Sequence, residues 1–132
     1  MRVLALSLAF GVVAATAAAG EPMLRTAAPS RHHVVVTFAP GDMVPGEIAV
    51  ANTRSRGANG AFLTAHVRLH EWIAARATTS TGLVRYRTSG TVAAGTYFVA
   101  VSGLMRDPPA DCLPIKSRCG VRWSNVLRVV VH

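Results

Sequence analysis

The chain has 132 residues, 14 Lys plus Arg against six Asp plus Glu, a formal net charge of +8, and only two cysteines. That length suits a single ordinary domain with a real core and leaves no room for a second. The cationic surplus favours contact with acidic polymers or anionic surfaces, and the six scattered carboxylates suggest no paired acid and base.

The first nineteen residues begin with one basic residue, Arg2, continue through VLALSLAFGVV and soften into ATAAA. This is the three-part layout of a secretory signal peptide, with cleavage expected after Ala19 and Ala17 and Ala19 as the small residues at the cut. Residues 1–19 are therefore assigned to a leader, and the mature chain is expected to be exported. Removing Arg2 leaves 13 basic residues against six acidic ones, about +7. No later apolar run is long enough for a membrane span. Export also makes nucleic acid an unsuitable natural partner.

Residues 20–31 read as a Pro-containing lead, and residues 32–132 as the folded domain. HHVVVTFAP alternates Val34, Val36 and Phe38 with His33, Val35 and Thr37, the period of a half-buried strand, and Pro40-Gly41 ends it. GEIAVANTR gives a second strand, followed by a turn in which Asn59-Gly60 suits positive φ. Residues 61–77 could form strand or helix; the alternation of Leu63, Ala65, Val67 and Leu69 with Thr64, His66, Arg68 and His70 favours strand. On that reading Trp72 shares a face with Arg68 and His70. LVRYRTSG and GTYFVAVSG make two more strands, a long irregular stretch runs from Leu104 to Trp123, and SNVLRVVVH closes the chain. Six or seven short strands separated by turn signals predict an all-β, antiparallel two-sheet sandwich.

TVAAGTYFVAV followed by SNVLRVVV resembles the last two strands of an immunoglobulin-like or fibronectin type III-like sandwich. The resemblance implies that the Tyr97 hydroxyl bonds back to the backbone at the strand corner, with Val99 and Val101 facing inward. The chain lacks the cysteine pair that joins the two sheets in antibody-type domains.

The cysteines occur in CLPIKSRC. In an oxidising compartment Cys112 and Cys119 are expected to form a disulfide, worth about 2.5 kcal/mol for so small a loop. A zinc site would need two further ligands, and neither His nor Cys lies near in sequence. The staple holds a basic loop with Arg106, Lys116 and Arg118, and Trp123 follows it. These four are the candidate partner-binding residues, for a cell-envelope protein, an acidic polysaccharide or an anionic surface.

Histidines supply the competing reading. His66 and His70 on one strand face lie about 13 Å apart and cannot share a metal. A copper-binding alternative comes from a limited likeness to small periplasmic carriers of the CopC-like type, which share export, size and a late GxYxVxV strand. Their N-terminal histidine is replaced here by Gly20 or Glu21, and their late acidic-plus-histidine segment by SGLMRD. No nucleophile elbow or phosphate loop is present. The sequence thus predicts a non-catalytic module with no assigned cofactor or metal.

Overall fold

A computed structural model describes residues 20–73, 82–105 and 120–132. Among the described residues, eight strands form two antiparallel sheets packed as a sandwich. One sheet has the order β1-β2-β5, from Met23–Ser30, His33–Ala39 and Val84–Arg87. The other runs β4-β3-β6, from Val67–Trp72, Val44–Ala51 and Gly95–Leu104. Its far edge is shared by β7 (Val121–Trp123) and β8 (Leu127–Val131), which pair with successive parts of β6.

Period-two alternation builds the core as expected. Val34, Val36 and Phe38 of β2 are fully buried and face Ile48, Val50, Val99 and Val101 of the opposite sheet. Val129 and Val131 of β8 complete that layer. Such β-branched rows suit a pleated surface buried on one side. At the entry to β6 the Tyr97 ring is buried, and its hydroxyl donates to the Ala93 carbonyl at 2.6 Å. The corner bond that the resemblance implies is therefore present.

Three expectations are corrected. Residues 20–31 are not merely a lead, because Met23–Ser30 is a full strand paired with β2. Its backbone is also tied to the other sheet: Leu24 donates to Asn125 Oδ1 at 2.7 Å, and Asn125 Nδ2 donates to the Leu24 carbonyl at 3.2 Å. The segment beginning at Leu63 does not alternate strictly. Thr64–His66 forms a short 3-10 turn, and an irregularity in β3–β4 pairing sets Val67 opposite Ala51 and Leu69 opposite Val50. The extra residue, Arg68, sends Val67 to the outer apolar cluster while Leu69 packs on the main core. The stretch from Leu104 to Trp123 is not irregular throughout, since it ends in β7.

The β1–β2 hairpin closes through Arg31-His32, and Arg31 has φ of 58°. A side chain there carries the left-handed penalty that two-residue hairpins normally avoid with glycine. Arg31→Gly is expected to stabilise the fold by about 1 kcal/mol, measurable as a higher denaturant midpoint with an unchanged slope. No gain would mean that Arg31 side-chain interactions offset the backbone strain.

Candidate binding surface

The outer face of the five-stranded sheet is built differently from the inner one. Ala49, Ala51 and Ala100 make a low floor, and Phe62 from the β3–β4 connection folds down onto it. Small residues leave the space that Phe62 fills, so this side has its own thin apolar layer.

Local hydrogen bonds fix the connection. Gly57 donates to the Ala61 carbonyl at 2.8 Å, Gly60 to the Gly57 carbonyl at 3.0 Å, and Ala61 to Asn59 Oδ1 at 3.1 Å. The Arg56 guanidinium reaches the carbonyls of Gly60 and Ser124, at 3.1 and 2.7 Å, anchoring the loop to the β7–β8 junction. Gly60 has φ of 87°, and a Cβ there would come within 3.4 Å of Trp123 Cβ. Glycine therefore meets both a backbone and a packing demand at the same point.

Between this loop and β4 lies an open groove of about 910 Å³. Ala49 lies in it, Trp72 and Trp123 line it, and Glu47, His70 and Arg122 supply charged or titratable groups. Pairing register places Trp72 opposite Glu47, and Ser102 opposite Trp123. Three strand spacings of about 4.8 Å then set the two tryptophan backbones about 14 Å apart across the sheet. Trp72 is 65% exposed, whereas Trp123 is half-buried against the Phe62 layer.

Glu47 reaches this face through a break in the β3–β6 pairing between Pro45 and Ile48. Ser102 Oγ accepts from Glu47 N at 2.8 Å there, and a Cβ on Gly46 would lie only 2.7 Å from the same oxygen. Glycine permits the close approach that the bulge requires. Glu47 Oε2 then stands 3.9 Å from His70 Nδ1.

Of the residues singled out from sequence, Trp123 stands in the groove. Arg106, Lys116, Arg118, Cys112 and Cys119 lie outside the described residues. Trp72 also lines the groove, and its parity with His70 in the sequence places it off the core face without naming a role for it. His32 and His33 sit 3.0 and 2.9 Å from the carbonyls of Val92 and Thr88 through Nδ1. A carbonyl only accepts, so each Nδ1 carries the proton. Among the described residues, no three His, Cys, Asp or Glu side chains come together as a metal-binding group. No described helix is long and apolar enough to cross a membrane.

The geometry defines an antiparallel β-sandwich with an aromatic groove on one outer face. No protein-family model matches the chain, and comparison with curated proteins gives no match.

Proposed function

We propose that this protein is an exported, non-catalytic module of immunoglobulin-like type that binds an anionic partner at the cell envelope. The observation that carries the reading is the state of the arginines. Every described arginine is exposed, and among the described residues none is within ion-pair distance of a carboxylate, the only such pair there being His70 with Glu47. Arg85 and Arg87 on β5 have Thr37 and Val35 as cross-strand neighbours. Arg54 stacks over Phe98 at 4.9 Å, and Arg128 is the cross-strand neighbour of that same Phe98. Arg56, Arg68 and Arg122 donate to backbone carbonyls. Guanidinium groups spread over both sheets, without a carboxylate partner among the described residues, give a positive field suited to capturing a polyanion.

The three-plus-five strand arrangement and the Tyr97 corner bond support the immunoglobulin-like part of the reading. In sequence, the basic segment with Arg106, Lys116 and Arg118 leads into Arg122 and Trp123 and adds to the cationic surplus of the chain.

The test is retention of the mature chain on a sulfated or carboxylated polysaccharide column and on anionic vesicles. Elution is expected to need raised salt, and neutralising Arg106, Lys116 and Arg118 together is expected to lower the salt required. Passage of the wild-type protein unretained at low salt, or identical elution of the triple variant, would remove this reading.

A further inference from the structure

The geometry points to the groove between Trp72 and Trp123 as a saccharide site for a carboxylate-bearing polysaccharide, with Arg122 meeting the acid groups. The inference rests on the anionic-partner reading above and gives that partner a chemical class and a place.

The first reason is the combination of surfaces. An indole that is 65% exposed, on a chain with only two tryptophans, is an unusual exposure of a large apolar ring, and the second tryptophan lines the same groove. Between them the lining alternates the small apolar Ala49 with Glu47, His70 and Asn59. Pyranose rings present the matching pattern: apolar C–H faces that lie against an indole, and a rim of hydroxyls that both donate and accept.

A peptide strand fits less well. Extended peptides draw their affinity from main-chain hydrogen bonds at a sheet edge. This groove lies on a sheet face, where the backbone groups of β3 and β6 are already paired with neighbouring strands. An apolar helix would bury Glu47 and His70, which costs more than it returns.

Charge then selects among saccharides. Arg122 is exposed at the groove and has no carboxylate partner among the described residues, and the chain as a whole carries +8. The Glu47 carboxylate is turned toward His70, with Oε2 3.9 Å from Nδ1. A ligand carboxylate beside Arg122 completes the set. The hydrogen-bonded loop that carries Phe62 makes the groove preformed, so little ordering is needed on binding.

Both tryptophans line this groove, so the intrinsic fluorescence of the mature chain reports it directly. Titration with oligogalacturonate is expected to shift tryptophan emission saturably. Trp72→Ala is expected to weaken binding at least tenfold with an unchanged melting temperature, because the side chain is mostly in solvent. Arg122→Gln is expected to weaken the acidic oligomer but not its weaker-binding methyl ester. Salt-dependent retention on polyanions without any tryptophan response would overturn the saccharide site while leaving the anionic-partner reading intact. Equal affinity for the methyl ester would overturn the role given to Arg122. A response to proline-rich peptide or anionic vesicles and not to the oligosaccharide would overturn the inference as a whole.

Discussion

Replacing Glu71 with alanine is expected to destabilise the domain by about 2 kcal/mol, one of the two largest single-residue effects foreseen. Glu71 sits on the inner face of the edge strand β4, where a carboxylate would ordinarily be out of place. Both of its oxygens accept hydrogen bonds. Oε1 accepts from the Tyr86 hydroxyl at 2.7 Å and from Ser89 N at 2.8 Å, and Oε2 accepts from Gly90 N at 2.6 Å. One side chain thus pins the turn after β5, in one sheet, to the edge of the other. Gly90 leaves the room: a Cβ there would lie 2.8 Å from Leu69 Cδ1 and 3.1 Å from Glu71 Oε2. The loss is well below that of three full charge-assisted bonds because the carboxylate is only partly buried and Ser89 is open to water.

The same bonds fix a pH dependence. Partial burial pushes the Glu71 carboxyl upward, but the bonds from Tyr86, Ser89 and Gly90, with His33 nearby, outweigh it and hold the group below its ordinary value of 4.5. The unfolded chain therefore binds the proton at higher pH than the folded one. The stabilisation is present above about pH 4.5 and is lost as pH falls through the lower folded value. Glu71→Gln keeps the shape, removes the charge and turns one acceptor into a donor. Urea midpoints of wild type and Glu71→Gln are expected to differ at pH 7 and to converge toward pH 3. Parallel curves across that range would show that the carboxylate charge contributes nothing to the fold.

Much of this architecture is readable from residues alone, and the failures have specific causes. Val34, Val36 and Phe38 announce their strand because three large apolar side chains at period two have no comparable helical face. Tyr97 announces a ring to bury and a hydroxyl to satisfy, and the resemblance alone implies the corner bond. Met23–Ser30 announces nothing: MLRTAAPS has no apolar alternation, and Pro29 argues against a central strand. It is an edge strand, held by its pairing to β2 and by the two bonds from Asn125 far along the sequence. The bulge at Arg68 is likewise invisible, because unbroken alternation in the sequence is what a one-residue slip hides. The groove depends on strand order, which places β4 and β7 on opposite sides of β3 and β6 and so brings Trp72 and Trp123 to one face. Parity alone could exclude Trp72 from the core but could not name its neighbour.

The break between β7 and β8 carries the second large effect. Ser124 is almost wholly buried, and its Oγ accepts from Val101 N at 2.9 Å and donates to the Asn125 carbonyl at 2.8 Å. Its own N–H donates to the Val101 carbonyl at 2.8 Å, so the serine answers both backbone groups of a fully buried β6 residue. A regular strand would satisfy Val101 through its backbone alone. Here the chain leaves the ladder for Ser124-Asn125-Val126, and the hydroxyl replaces the missing carbonyl. That departure turns Asn125 toward Leu24 to close β1 against this edge, and exposes the Ser124 carbonyl to Arg56, which holds the groove loop. Ser124→Ala strands the Val101 N–H where water cannot reach it, at a cost of about 2 kcal/mol. It is also expected to speed amide exchange at Val101 and in the 57–62 loop together, measured by hydrogen exchange. A loss of stability with unchanged protection in the loop would separate the core from the groove, and the two would then have to be treated as independent parts of the fold.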